Sequence, residues 1–199
     1  MRIKRAFDVF FSLIALIMLS PLMLLIAVAI VCDSKGGVFY KQKRVGKNNT
    51  DFYLYKFRTM YRCSDRECLL TVGDRDARIT KTGYFLRKMK GDELPQLLNI
   101  LKGEMSIVGP RPEVRKYVDL YTKEQLRVLD VLPGLTDYAS IAYINENALL
   151  EQSGDPEQIY INEIMPAKLR LNFKYIENQS LMVDLKIIAL TVKHVLIKN

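Results

Sequence analysis

Between Asp8 and Asp33 the chain runs for 24 residues without a charge, VFFSLIALIMLSPLMLLIAVAIVC. As a helix this run is about 36 Å long at about 1.5 Å per residue, enough for a hydrocarbon core of roughly 30 Å. No small-residue cleavage site precedes the next polar stretch, which argues against a removed signal peptide. The run is therefore expected to stay and hold the protein to a membrane. Two details argue against a simple crossing. Ser20-Pro21 stands at its centre, and Pro21 has no N–H to give the carbonyl of Ile17. Basic residues, which mark the cytoplasmic side, flank both ends: Arg2, Lys4 and Arg5 before, Lys35, Lys41, Lys43, Arg44 and Lys47 after. A helix that enters, breaks at Ser20-Pro21 and returns to the same face satisfies both. A single span kinked at the proline is the competing reading, since Pro is tolerated in membrane helices. Asp8 is expected to pair with Arg5 or to cap the helix at the interface.

With 199 residues the chain has room for one domain and an appendage, divided here into a membrane anchor over 1–35 and a cytosolic domain over 36–199. Hydrophobic residues make up 49% and charged ones 26%, so a core can form and bulk disorder is excluded. Thirty Lys+Arg against 22 Asp+Glu leave a net charge of +8, which suits anionic partners. His194 is the only histidine, which excludes His-based triads and His-rich metal sites. Cys32, Cys63 and Cys68 fit no disulfide framework; reduced thiols are the simpler reading against half of a metal site at Cys63 and Cys68.

The remaining pattern predicts a mostly α fold with a small β element (α+β). A hairpin is expected over 38–60 around a Gly46–Asp51 turn, then a polar loop or short helix over 61–78. From Thr82 the spacing turns helical, with Tyr84, Phe85 and Met89 on one face. A second stripe of Leu94, Leu97, Leu98 and Leu101 ends at Gly103, a good helix C-cap. Met105–Arg111 reads as a buried run entering a Pro-rich turn, and helical spacing follows over 113–130, 156–177 and 181–197. In the last helix Leu185, Ile188, Val192 and Val195 line one side and Lys186 and Lys193 another, which serves core packing or an anionic membrane surface equally.

Three features can carry chemistry. Asp92-Glu93 is expected in the first turn of the Leu-striped helix, because Pro95 is tolerated only there. At the positive end of the helix dipole a carboxylate is expected to stay ionised, as a nucleophile or metal ligand must; an ordinary N-cap is the plainer alternative. In Gly109-Pro110-Arg111-Pro112-Glu113 two prolines bracket one Arg, which suits bidentate phosphate binding or else a surface turn. Basic residues Lys56, Arg58, Arg75, Arg78, Arg87, Lys88 and Lys90 can serve anionic lipid, nucleic acid or a nucleoside diphosphate. Aromatics at Phe52, Tyr53, Tyr55 and Phe57 interleave with some of that charge, and their alternation is most economically a half-buried strand. Neither a Walker loop nor G-x-G-x-x-G is present.

The membrane run, Lys56-Phe57-Arg58-Thr59-Met60, Asp92-Glu93-Leu94-Pro95-Gln96, Gly103-Glu104-Met105-Ser106 and Gly109-Pro110-Arg111-Pro112, in this order, resemble the bacterial sugar transferases. More narrowly, the sequence is similar to the small monotopic phosphoglycosyl transferases over roughly 1–190. The resemblance implies transfer of a sugar-1-phosphate from a UDP-sugar to a polyprenyl (undecaprenyl) phosphate, with UMP released, at the cytoplasmic face of the bacterial inner membrane. It implies a re-entrant helix broken at Ser20-Pro21, Asp92 as nucleophile, Glu93 helping Asp92 to hold Mg²⁺, and Lys56, Arg87 and Arg111 on phosphate. Expected partners are the UDP-sugar, the polyprenyl phosphate and membrane lipid, without nucleic acid; a homodimer stays open, as do the sugar and the glycan pathway. Lys90-Gly91 before the dyad and Asp137 in Pro133-Gly134-Leu135-Thr136-Asp137 depart from the family pattern. The rival from another class is a non-catalytic membrane scaffold that holds anionic lipid or a partner protein.

Overall fold

The computed structural model describes residues 2–61, 77–151 and 154–197. Arg75, Cys63, Cys68 and most of the expected 61–78 loop lie outside the described residues.

The apolar run forms a single helix, α1 (Arg2–Asp33), with Pro21 inside it. The Ser20 hydroxyl donates to the Ile17 carbonyl at 2.8 Å, the carbonyl that Pro21 leaves without an amide partner. The Ser-Pro pair thus lies within a helix rather than between two halves of one. One stripe of α1 packs on the rest of the protein: Asp8, Ser12 and Ile30 are buried, and Ala15, Leu16, Leu19, Met23 and Ile26 meet the apolar core. The other faces leave Phe10, Ile17, Met18, Leu24, Leu25 and Val28 more than half exposed.

Both ends of α1 are tied to the same domain. At the start, Lys4 Nζ donates to the Val108 carbonyl (3.0 Å) and to Asp184 (2.5 Å), and Arg5 donates to the Ile100 and Leu101 carbonyls (2.6 and 3.0 Å). Asp8 accepts from Ser106 Oγ (2.8 Å) and the Ile107 amide (3.1 Å), so it bonds to a strand rather than to Arg5. At the far end, Asp33 accepts from the Thr82 amide (2.7 Å), and Arg58 donates to the Ser34 and Gly37 carbonyls (2.8 and 2.6 Å).

The expected hairpin is present as β1 (Phe39–Val45) and β2 (Asp51–Phe57), antiparallel with Phe39 opposite Phe57 and Val45 opposite Asp51. Its turn places Asn48 and Asn49 at φ 55° and 59°, a conformation asparagine tolerates. Helix α2 (Lys81–Lys88) is capped by the Thr80 hydroxyl, and α3 (Gln96–Lys102) ends at Gly103 in the left-handed conformation, φ 86°. On α3 the buried apolar residues are Leu97 and Ile100, with Gln96 and Asn99 buried beside them, whereas Leu98 is exposed.

Strands β3 (Ser106–Val108) and β4 (Gly134–Thr136) pair in parallel, Ser106 with Gly134 and Val108 with Thr136. Between them only α4 (Arg115–Val118) and a 3₁₀ turn over Gln125–Asp130 form, not the helix expected over 113–130. The interruption has a local cause: Thr122 and Gln125 exchange side-chain-to-amide hydrogen bonds (2.9 and 3.2 Å), a capping box that begins a new turn. Then come α5 (Tyr138–Ala142), α6 (Glu146–Glu151) and α7 (Pro156–Ile159), which passes through a π turn at Tyr160–Ile164 into α8 (Met165–Glu177). In α9 (Leu181–Ile197), Asp184 and Ile187 are buried against the core, while Met182, Leu185 and Val192 are exposed. That helix thus has a packing face and an open apolar one.

Candidate active site

Lys56, at the end of β2, donates to Glu93 Oε1 at 2.9 Å. Arg58, two residues on, faces away to cap α1, so the basic cluster read from the sequence divides into site and scaffold. Between them and α2 the backbones nearly touch. A Cβ on Gly83 would stand 2.1 Å from the Thr59 carbonyl oxygen, so only glycine lets α2 lie there. One turn further along α2, Arg87 Nε donates to the Thr59 hydroxyl at 3.0 Å, which aims the guanidinium into the cleft.

Lys90, at φ 55°, turns the chain out of α2 into a 3₁₀ turn at Gly91–Glu93. Asp92 and Glu93 therefore stand one turn ahead of α3, with Pro95 as the cap residue, rather than inside its first turn. The two carboxylates differ in surroundings. Glu93 is held by Lys56 and by a bidentate Arg111, whose Nη1 donates to Oε2 at 3.0 Å and whose Nη2 donates to Oε1. Burial works against its charge, but Arg111 and Lys56 outweigh burial and hold its carboxyl well below the usual glutamate range. Asp92 is 8% exposed and accepts no hydrogen bond from any described residue. Burial pushes its pKa up, with Glu93 adding to the rise, while Lys56, Arg87 and Arg111 pull it down. The expectation of a dipole-stabilised carboxylate is thus corrected: desolvation wins, and Asp92 is a high-energy anion in the free protein. Burial also lowers the Lys56 pKa, opposed by Glu93.

Arg111 is placed by the parallel strands. A Cβ on Gly134 would stand 2.1 Å from the Gly109 nitrogen, and one on Gly109 would stand 2.6 Å from the Leu132 carbonyl oxygen. The two glycines let the 109–112 turn sit against 132–134, with Gly134 N donating to the Pro110 carbonyl at 2.9 Å. Asp137, wholly buried, accepts from the Arg111 amide (3.2 Å) and from the Ser140 amide (2.6 Å). It fixes the Arg111 backbone while capping α5, so this departure from the family pattern is a structural support of the site. Glu113, the next charge along, is held by Arg44 (3.1 Å) and by the Tyr160 hydroxyl.

The fold therefore gathers Lys56, Arg87, Asp92, Glu93 and Arg111 in one cleft of about 1340 Å³. Ser20 and Pro21 are not among its lining residues. With both carboxylates ionised, three cations face two anions, a surplus suited to a diphosphate. The pair also fits a hard divalent cation. Glu93 takes three donations on two oxygens that offer about four acceptor positions, and Asp92 takes none. An ion that draws its other oxygens from substrate and water needs no larger acidic cluster, and none is found among the described residues.

Comparison with known proteins shows the family. The model of the family described as bacterial sugar transferase matches residues 1–198. The UDP-N-acetylgalactosamine-undecaprenyl-phosphate N-acetylgalactosaminephosphotransferase of Aeromonas hydrophila is 38% identical over 198 residues, covering 98% of this chain and 44% of that protein. The uncharacterized sugar transferase EpsL of Bacillus subtilis (strain 168) is 39% identical over 200 residues, covering 100% of this chain and 90% of that protein. The UDP-glucose:undecaprenyl-phosphate glucose-1-phosphate transferase of Escherichia coli (strain K12) is 34% identical over 195 residues, 96% of this chain and 39% of that protein. The chain thus spans less than half the length of two of these relatives and nearly all of the third. On a match that takes in the anchor helix, the dyad and the Arg111 turn alike, this chain belongs to the bacterial sugar transferase family.

Proposed function

We propose that this protein is a phosphoglycosyl transferase that moves a sugar-1-phosphate from a UDP-sugar to polyprenyl (undecaprenyl) phosphate through a covalent intermediate on Asp92. One observation carries the reading: Asp92 is a buried carboxylate that accepts no hydrogen bond from any described residue, beside a glutamate that two cations hold in place. An anion kept from solvation and from hydrogen bonds is costly to form and correspondingly reactive.

In the first half-reaction an Asp92 oxygen attacks the sugar-bearing phosphorus. The bond from that phosphorus to the bridging oxygen breaks, and UMP leaves with the electron pair. Arg111, Arg87 and Lys56 stabilise the charge on the phosphate oxygens, and Glu93 holds Arg111 and Lys56 at the depth the phosphates occupy. In the second, a phosphate oxygen of the lipid acceptor attacks the phosphorus of the aspartyl phosphate. The Asp92 carboxylate is restored and a polyprenyl diphosphate-sugar departs. Mg²⁺, held by Asp92 and Glu93, would neutralise diphosphate oxygens that otherwise repel an attacking carboxylate.

The lipid acceptor explains the anchor. The outward faces of α1 expose a continuous apolar surface that needs an apolar solvent, and both ends of the helix are bonded to one domain. A helix so tied keeps both of its ends on the side the domain occupies, which matches the basic residues at both flanks. We place the domain at the cytoplasmic face of the bacterial inner membrane, with 1–35 as anchor and 36–199 as catalytic domain. UMP release from a panel of UDP-sugars, with and without undecaprenyl phosphate and with and without EDTA, tests the assignment. Absence of release from every donor overturns it.

A further inference from the structure

Part of the lining of the cleft that holds the dyad is apolar. It includes Ala15 and Leu19 of α1, Ile107 and Leu135 of the parallel strands, and Ile188 and Val192 of α9. Strand alternation explains the floor. The registered pairs Ser106–Gly134 and Val108–Thr136 share one face, so Ile107 and Leu135 project together from the other. Both pack against the cluster that includes Ala15 and Leu19, and both are half-buried. Val192 is 51% exposed, and Ile107 and Ile188 pack against the same cluster of Val108, Tyr175 and Ile187, which brings α9 beside the floor.

The result is a trough with an apolar floor and two helical walls, each of which also exposes an apolar face outward. Lys56, Arg87 and Arg111 line the same cleft and give it its cationic part. A volume of about 1340 Å³ exceeds the roughly 300–1,000 Å³ of a single small-molecule site. A UDP-sugar is polar along its length and gains nothing from such a floor. An amphiphile with one phosphate and a long hydrocarbon chain matches both parts.

We propose that the trough between α1 and α9 binds the isoprenyl chain of the lipid acceptor, with its phosphate at Asp92. This rests on the phosphoglycosyl transferase reading and adds to it where the chain lies, so donor and acceptor share the dyad while their tails occupy different parts of the cleft.

Two variants fill the trough: Ala15→Trp, and Val192→Trp at an exposed position where the fold tolerates bulk. Exchange of labelled UMP into UDP-sugar, which needs no acceptor, monitors the first half-reaction. The expected result is unchanged exchange, a KM for undecaprenyl phosphate raised about tenfold, equivalent to about 1.4 kcal/mol, and a smaller rise for a two-isoprene phosphate. Unchanged undecaprenyl phosphate KM in the variants that retain exchange overturns the proposal. If Ala15→Trp loses exchange through mispacking of α1, Val192→Trp decides. A diazirine-bearing undecaprenyl phosphate gives a readout independent of turnover. Labelling at residues 15–19 and 188–192, competed by undecaprenyl phosphate but not by phosphatidylglycerol, supports the trough. Equal competition by phosphatidylglycerol, or labelling elsewhere only, overturns it. Failure of the enzymatic reading itself looks different, because wild-type protein then releases no UMP.

Discussion

Arg111 grips both carboxylate oxygens of Glu93, while the neighbouring Asp92 accepts no hydrogen bond from any described residue. The two carboxylates are thereby set apart by surroundings alone, which suits the roles of holder and attacker proposed for them. For Arg111→Ala we expect kcat/KM for the UDP-sugar to fall by about 10²–10³, the range for loss of one preorganised donor at developing charge. Arg111→Lys should recover little of it, because an ammonium cannot bridge two oxygens. Steady-state kinetics with varied donor checks both.

Asp92→Asn should abolish UMP release while leaving the fold intact. The change breaks no hydrogen bond from a described residue, and it removes a charge whose burial is unfavourable. Thermal unfolding should show a Tm equal to or above wild type, and a lower Tm would show that Asp92 has a supporting contact.

The pH dependence follows from the same carboxyl. Attack requires the ionised form, and the Asp92 pKa is raised by burial, so activity is present above that raised value and lost as pH falls through it. The acid limb of kcat/KM should therefore lie above the ordinary aspartate value of about 3.9. Glu93 is shifted the other way and stays ionised across this window. A pH–rate profile with the limb at or below the ordinary value would contradict the assignment.

Gly134→Ala tests the placement of Arg111 without touching it. The new methyl would stand 2.1 Å from the Gly109 nitrogen, so the 109–112 turn must move. A loss of about 4 kcal/mol or more, at the exceptional end for single substitutions, is expected in denaturant unfolding.

Lys90→Gly should do the opposite. Lys90 holds a left-handed conformation at φ 55°, which costs a side chain about 1–2 kcal/mol and costs glycine little. For a chain of this size each kcal/mol is about 2–4 °C in Tm, measurable by calorimetry.

What could be read from the sequence was what depends on neighbours along the chain. Gly103 ends α3, the Gly46–Asp51 turn folds the hairpin, and the prolines around Arg111 mark a fixed turn. The gathering of Lys56, Arg87, Asp92, Glu93 and Arg111 followed from motif order, through resemblance, rather than from spacing. What escaped were pairings across the fold. Asp8 and Ser106 are 98 positions apart, and no local pattern links them. Arg58 follows Lys56 at an interval that on a continued strand shares its face, but β2 ends at Phe57 and the two diverge. Asp137 had a local signal, an Asp three residues before the Ser140 amide it caps, yet its bond to Arg111 depends on the strand pairing. The upward shift of the Asp92 carboxyl escaped too, because a helix dipole is visible in sequence and desolvation is not.

The first two turns of α1 grip three consecutive residues, Ser106, Ile107 and Val108, immediately ahead of the turn that carries Arg111. On the proposed membrane seating of α1, the guanidinium takes its height from how deeply that helix rides in the lipid. Reconstitution into vesicles of graded acyl length should then tune turnover, and turnover indifferent to acyl length would contradict the coupling.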